Sequence, residues 1–460
     1  YYVVSSARDV WQHPAQLIPN GPWDNGHTPL VYWVLALSWG LLGPEPWVSH
    51  MVMILFAVGA LLLAHEIARD LFGPVAAAIT MILLACHPVF FYQTATVGLD
   101  VPLTALTLLT LLCCLRGRFR IAVVSGCLMV MARETAILFL PAIALGATVL
   151  RGGEGRARWA RAAALVAVPA AVLAAWYVFH HEVTGWWLYS DRSRDVKTTF
   201  GDLLASFPYE LYRRTVRPFL RDHGQWAATL LVAAALLRQA LRNWRERSAR
   251  PAFVIAGIFA GMILPMGGVI ALMQIYLPRY LLPAVPLYCA LAGWVASRLG
   301  KSGIPTAAIL FLALLSAHQG DTPPGWQSSR GYLRTMNLDL EVARWLEAKH
   351  PDARVFLPWP AWEELCEPMY GYVSKPIAVV VLGNSPKFAE FCAPGRYLRI
   401  PQSREATLSP GDFDLAWADQ SEPAKSLIRS LRERMTLDPA GEVENAGLKV
   451  DFYAPAPPAR

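Results

Sequence analysis

Charge is scarce in this chain: Asp, Glu, Lys and Arg make up 16 % of its 460 residues while hydrophobic residues make up 55 %. Soluble domains are about 25 % charged and about 45–50 % apolar, so the shortage excludes an ordinary globular protein and leaves an integral membrane protein. Metal-ligand spacings of the CxxC and HExxH kinds are missing, which removes the familiar zinc enzymes. A GxGxxG turn and a Walker loop are missing too, so nucleotide binding has no support. The formal charge is +7, yet the basic residues stand in short clusters between apolar runs. That is the pattern of membrane loops, and no nucleic-acid partner is expected. The opening Tyr1-Tyr2-Val3-Val4-Ser5 has no methionine, basic flank or long apolar run. No signal peptide is expected there, and the sequence is expected to begin partway through a larger protein.

What is present is a series of apolar runs. Ten candidate spans fall at about 48–69, 74–93, 98–116, 119–132, 134–150, 158–181, 225–240, 252–273, 278–298 and 303–318. The pair 119–132 and 134–150 is short and reads as tilted or joined at a kink. The run from Pro29 to Gly43 is too short to span, and its Tyr32, Trp33 and Trp39 suit a helix lying along the membrane surface. If the turn at Arg69 is cytoplasmic, alternation puts fifteen Lys and Arg residues in the inner loops, whereas the short outer turns hold only Arg133 and Arg279. That bias orients the chain. It places residues 1–47, the turn before Asp100, Arg133-Glu134, the loop 182–224 and Arg279-Tyr280 on one face. The loop 182–224, with Trp186, Trp187 and Tyr189, suits lipid head groups or an interfacial anchor.

After residue 320 the composition becomes that of a soluble domain. Helices over 338–350 and 426–433, alternating with strands at 354–357, 377–382, 413–417 and 448–453, indicate a small α/β unit. Three parts are therefore expected: an outer loop with juxtamembrane helices (1–47), a membrane domain (48–320) and an extracytoplasmic α/β domain (321–460). Cys86, Cys113, Cys114, Cys127 and Cys289 sit in apolar runs as small buried hydrophobes. Cys366 and Cys392 lie in the polar part and form a disulfide there if it is extracytoplasmic and their separation allows.

Asp100, just before Pro102 at the mouth of an apolar run, has two readings. It is a helix cap at the water boundary, or a functional acid, since carboxylates at membrane depth are expensive. The surroundings favour the second. Asp24-Asn25-Gly26-His27-Thr28-Pro29-Leu30-Val31-Tyr32-Trp33 resembles the "HPPLYYW" motif in the first outer loop of polytopic glycosyltransferases of the GT-C fold, the protein O-mannosyltransferases and aminoarabinose transferases in particular. Arg69-Asp70-Leu71-Phe72-Gly73-Pro74 is similar to that family's "RRLFGP" turn, and Gly98-Leu99-Asp100-Val101-Pro102 to its second acidic motif. Ala132-Arg133-Glu134-Thr135-Ala136 resembles "TRETA", and Arg279-Tyr280-Leu281-Leu282-Pro283 resembles "RYLLP".

The resemblance implies a family 39-like GT-C enzyme: an α-helical polytopic membrane protein with about ten transmembrane helices and a C-terminal soluble α/β domain. It would move a sugar from a polyprenyl-phosphate donor to an acceptor hydroxyl on a protein, lipid or glycan, with its site and C-terminal domain on the periplasmic side of a bacterial inner membrane. The family's Asp-Glu pair would lie upstream of Tyr1, which leaves Asp100 as the catalytic acid in this sequence. Arg279 and Tyr280 would meet the phosphate, His27 and Asp24 the phosphate or sugar, and Arg133 and Glu134 would pair with each other or touch substrate. An interfacial snorkelling arginine is the plainer reading of Arg279, and turn chemistry that of Asp24 and His27. No cofactor follows from the motifs, although clustered carboxylates would suit Mg²⁺ or Mn²⁺. The alternative is a polytopic lipid or solute transporter or flippase. That reading expects midplane charges and two matching halves, and the sequence has neither.

Overall fold

The computed structural model describes residues 2–19, 24, 26–151, 155–187, 250–273, 278–298, 330–357, 365–366, 368–382, 397–400, 412–418, 428–433, 435–445 and 448–456, with isolated positions between them. It separates into two compact units: residues 2–41 with 49–330, and 42–48 with 331–460.

The first unit is helical. Its described helices are α1 (Tyr2–Gln12), α2 (Leu30–Leu42), α3 (Pro46–Phe72), α4 (Pro74–Ala85), α5 (Pro88–Thr94), α6 (Asp100–Leu115), α7 (Phe119–Ala132), α8 (Leu140–Arg151), α9 (Arg156–Thr184), α10 (Arg250–Met273) and α11 (Val285–Arg298). Among the described residues five segments are long and apolar enough to cross a membrane: Pro46–Phe72, Glu134–Arg151, Arg156–Thr184, Arg250–Ile270 and Arg279–Arg298. A sixth is counted if α4 and α5, bent by 62° at the break between them, form one broken span. The protein is therefore a multi-pass membrane protein, but the expected ten spans are not reached among the described residues.

The shortfall has physical causes. Pro88 follows His87 and cannot continue the helix begun at Pro74, so the run at 74–93 breaks. The runs at 98–116 and 119–132 form helices of 16 and 14 residues, roughly 24 and 21 Å at 1.5 Å per residue, short of a hydrocarbon core of about 30 Å. The runs at 225–240 and 303–318 fall outside the described residues.

Burial sorts the helices into inner and outer ones. Every residue of α6 except Leu109 and Leu115 is buried, as expected of a helix that is apolar all round. Its Thr104, Thr107 and Thr110 hydroxyls donate to the carbonyls of Asp100, Leu103 and Leu106 at 2.7–2.8 Å, which satisfies them inside the apolar interior. α9, by contrast, leaves Val168, Val178 and Val183 exposed, a face suited to lipid. α11 packs tightly on α4 through Gly293, where an added Cβ would stand 2.6 Å from Thr80 Oγ1 and 2.7 Å from the Ala76 carbonyl. Gly293→Ala is expected to force these helices apart at a cost of about 1–3 kcal/mol. Gly257→Ala, with open space around it, should be neutral. Thermal unfolding of the two variants in detergent checks this.

The ends of the helices carry opposite chemistry. Arg116, after α6, bonds Asp70 (2.7 Å) and Glu66 of α3, and Arg69 bonds Glu66 (2.6 Å). Arg250 donates to the Val149 carbonyl (2.7 Å), so α10 starts where α8 ends. The other ends of α6 and α7, with Asp100 and Arg133, meet at the opposite end of this antiparallel pair.

The second unit is α/β. A helix α12 (Arg330–Lys349) and residues 428–432, also helical, accompany a six-stranded sheet: β1 (Arg354–Phe356), β2 (Ala378–Leu382), β3 (Tyr397–Ile400), β4 (Leu415–Ala418), β5 (Leu437–Asn445) and β6 (Leu448–Pro455). The order is β3-β2-β1-β4-β6-β5, parallel from β3 to β4 and antiparallel from β4 through β6 to β5. Alternation buries both faces. Val355, Val379 and Leu415 meet Leu338, Val342 and Leu346 of α12, while Phe356, Val380 and Ala416 meet Ile428 and Leu431. Two strands are additional to the expected four. β5 hid because Pro439 and Gly441 interrupt its pattern, and the structure accommodates them at an edge with an irregular register. Gly441 also admits the Trp345 ring, which a side chain there would strike.

Within this unit the Arg354 guanidinium bonds Asp414 at 3.0 and 3.1 Å and holds its carboxyl below the usual carboxylate range. A depressed folded-state value stabilises above the unfolded pKa of about 3.9 and the gain is lost as pH falls through the folded value. Both groups are close to half exposed, so Asp414→Asn should remove less than about 1 kcal/mol, visible only as a shallower acid limb in unfolding below about pH 4.

Candidate functional site

The helix that begins at Asp100 does so without a side-chain cap; Leu99 precedes it and no cap hydrogen bond forms. The capping reading of Asp100 is thereby replaced. Its carboxylate, 3 % exposed, receives the Arg133 Nη1, and its other oxygen lies 3.6 Å from Arg279 Nε. Arg133 reaches it because the chain between α7 and the 3₁₀ turn Glu134–Leu138 passes through a single extended residue, Arg133 itself, at φ −162°. Arg279 and Tyr280 come from a 3₁₀ turn, Pro278–Ala284, that leads into α11. The Tyr280 ring lies 4.3 Å from the Arg133 guanidinium carbon and 5.7 Å from that of Arg279, so one ring backs both cations.

Arg133 makes its ion pair with Asp100, while its charge also acts on Glu134. Successive residues on an extended turn point apart, and Glu134 turns to His27, whose Nδ1 is 3.1 Å from both carboxylate oxygens. Asp24 is drawn to a residue to which the sequence assigned no role. His180, near the end of α9 and 1 % exposed, places Nε2 2.6 Å from Asp24 Oδ2 and Nδ1 3.1 Å from the Trp186 carbonyl. Asp24 Oδ1 accepts the Gly26 N–H at 2.9 Å, closing a turn that Gly26 can enter because its φ is +71°. The Tyr177 hydroxyl donates to the Gly26 carbonyl at 3.5 Å. The loop carrying His27 is thus tied to α9 at two points, Asp24 to His180 and Gly26 to Tyr177.

Asp100, Arg133, Arg279, Tyr280, Glu134 and His27 therefore gather at one end of the helices, with Asp24 three residues from His27 and fixed by His180. A cavity of about 490 Å³ adjoins the Asp24 end, walled by Leu17, Ile18, Phe179, Val183 and Trp186. Of the Trp-rich loop expected at 182–224, the described part places Trp186 edge-on to His180 (4.5 Å) and Trp187 stacked on His181 (4.2 Å); the remainder falls outside the described residues. His180 had a weak signal in the sequence, a histidine pair at the outer end of an apolar span, but nothing local tied it to Asp24, 156 residues away.

Among the described residues the site offers no ready set of ligands for a divalent cation: no three His, Cys, Asp or Glu side chains converge. The carboxylates present are engaged by cations or imidazoles: Asp100 by two guanidiniums, Glu134 by His27 and Asp24 by His180. The two guanidiniums are matched in number by the Asp100 and Glu134 carboxylates, and the more accessible of them, Arg279, offers N–H donors suited to an anionic oxygen-rich group.

Residues 26–180 match the family model described as dolichyl-phosphate-mannose-protein mannosyltransferase. A search of curated proteins returned no match. Among solved structures the chain is similar to ArnT from Cupriavidus metallidurans bound to undecaprenyl phosphate, at 13 % identity and a TM-score of 0.60, over 98 % of this chain and 92 % of that one. It is similar to the same protein in the apo state at 14 % identity and a TM-score of 0.57, with the same coverage. The family match covers about a third of the chain, and the likeness along nearly its whole length shows that this multi-pass membrane protein has the fold of ArnT.

Proposed function

We propose that the protein is a glycosyltransferase that moves a sugar from a polyprenyl-phosphate donor to an acceptor hydroxyl, at the extracytoplasmic face of a bacterial inner membrane. The observation that carries this reading is the Arg133–Asp100–Arg279 group over Tyr280, beside the His27–Glu134 pair. Transfer breaks the bond between the anomeric carbon and the phosphate oxygen and forms one to the acceptor oxygen. The leaving polyprenyl phosphate gains negative charge, and the acceptor loses a proton. Arg279, the most accessible of the three charged groups at 14 % exposure, receives the phosphate, as a guanidinium binds two of its oxygens and stays charged. Asp100 holds both guanidiniums in register instead of serving as a free base, because both its oxygens face cations. His27 takes the acceptor proton, with Glu134 fixing the ring through Nδ1, the base-and-orienter logic of acid–base catalysis.

The fold likeness to ArnT, whose structure holds undecaprenyl phosphate, supports a lipid-phosphate donor. The disulfide at Cys366, in the second unit, supports an oxidising, extracytoplasmic side. Sequence bias of Lys and Arg toward the other helix ends supports the same orientation.

The test is transfer of label from radiolabelled polyprenyl-phosphate sugars by membranes containing the full-length protein. Arg279→Ala is expected to lower transfer by roughly 10²-fold or more, with Arg279→Lys recovering only part, as removal of one preorganised donor to developing charge does elsewhere. His27→Ala should lower kcat with little change in KM. Movement of intact labelled lipid across the bilayer with no new glycosidic bond would instead establish the transporter reading.

A further inference from the structure

At the far end of the same helices lies a second cavity of about 400 Å³, between the end of α8, the start of α9 and the turn joining α6 to α7. Its rim carries three guanidiniums, Arg151, Arg158 and Arg161, and its walls are apolar, with Cys114, Ala147 and Leu165 among them. Among the described residues no carboxylate lines it; Glu66 and Asp70, at this same end, engage Arg69 and Arg116. Arg151 is placed, not merely nearby. Its Nη1 lies 3.4 Å from the Cys114 carbonyl, near the C-terminal end of α6, and it rests over Gly117, where any Cβ would collide with the guanidinium. Trp159 stands exposed beside the rim with its ring 5.1 Å from the Arg158 guanidinium carbon. An exposed tryptophan among arginines marks the head-group level of a bilayer.

We infer that this cavity binds the head group of an anionic membrane phospholipid, its phosphodiester between Arg151, Arg158 and Arg161 and the adjoining acyl carbons along the apolar wall. The charges supply affinity for the phosphate, and basic pockets between membrane helices recognise anionic lipids for the same reason. The depth of apolar wall favours a lipid over a free ion, which would gain nothing from it. The site is separate from the proposed transfer site and does not depend on it.

The experiment is thermal unfolding of the purified full-length protein in neutral detergent with added phosphatidylglycerol, phosphatidylcholine or inorganic phosphate. Phosphatidylglycerol is expected to raise Tm and the other two to leave it unchanged. In the double variant Arg158→Gln/Arg161→Gln the lipid should bind roughly tenfold or more weakly, since each basic group near a membrane surface adds about a factor of five. The Arg158→Lys/Arg161→Lys variant should keep most of the shift, and so should Arg279→Ala. Equal shifts with the two lipids, an equal shift with inorganic phosphate, or a full shift in the glutamine pair would each overturn the inference. Loss of the shift in Arg279→Ala alone would move the lipid to the other end and overturn it as well. Should the glutamine pair fail to fold, the comparison of the two lipids and phosphate on the natural protein still decides.

Discussion

Arg133→Met is expected to cost the protein about 3–5 kcal/mol, and adding Asp100→Leu to return most of that loss without returning any activity. The single change leaves a carboxylate that is 3 % exposed facing an apolar side chain. Breaking a buried ion pair by removing one partner is expensive, whereas replacing both partners with apolar groups of similar volume is close to neutral. Arg279, at 3.6 Å and 14 % exposed, offsets part of the loss in the single variant, which places the expectation toward the lower end of that range. In the double variant its side chain, more exposed than that of Arg133, turns to water. Activity should stay absent in both, because the carboxylate that sets the two guanidiniums is missing or unbalanced. Thermal unfolding of the two single variants and the double one, analysed as a cycle, measures the coupling. Additive losses would show that Asp100 and Arg133 are not bound to each other in the folded protein.

The second large effect is expected at His180, which the proposed chemistry does not touch. His180→Ala removes the partner of the buried Asp24 carboxylate at 2.6 Å and one donor to the Trp186 carbonyl, which keeps the Thr184 hydroxyl at 3.3 Å. Leaving a buried acceptor of this kind unsatisfied costs about 1–3 kcal/mol, more when it is charged. The greater consequence is for catalysis. Asp24 closes the turn through Gly26 that presents His27 to Glu134, so loosening it displaces His27. A displacement of about 1 Å in a group that must meet the acceptor can cost about 10²-fold in rate. His180 is thus a positioning residue, and the effect should fall on kcat, with KM for the lipid donor unchanged because Arg279 is on another element. His180→Gln, which keeps a donor for Asp24, should recover part of the rate. A His180→Ala protein that loses stability but keeps kcat would show that the Asp24 anchor serves folding alone.

Much of this was legible from local pattern. Membrane character follows from composition, since a chain this apolar, with its apolar residues gathered in long runs, has more hydrophobic surface than its own interior can bury. Which polar motifs share an end of the helices follows from alternation of apolar runs, and the contacts fall at opposite ends: Arg116 with Asp70 at one, Arg133 with Asp100 at the other. Strands β1, β2, β4 and β6 were legible as short apolar or alternating runs between polar stretches. β5 was not, because its Pro439 and Gly441 are tolerable only at an edge, and a strand's position in its sheet is not a local property.

Pairing is where sequence reasoning ended. Position at the ends of apolar runs singled out Asp100, Arg133 and Arg279, and the resemblance to the glycosyltransferase motifs added Asp24, His27, Glu134 and Tyr280 as candidates. They could not say that Arg133 and Glu134, adjacent in the chain, turn to different partners, or that Asp24 meets His180. Those choices depend on one extended residue between two helical turns and on the angle at which distant helices cross. Both are settled by packing across the whole bundle, where the energy of a contact depends on separation in space and has no dependence on separation along the chain.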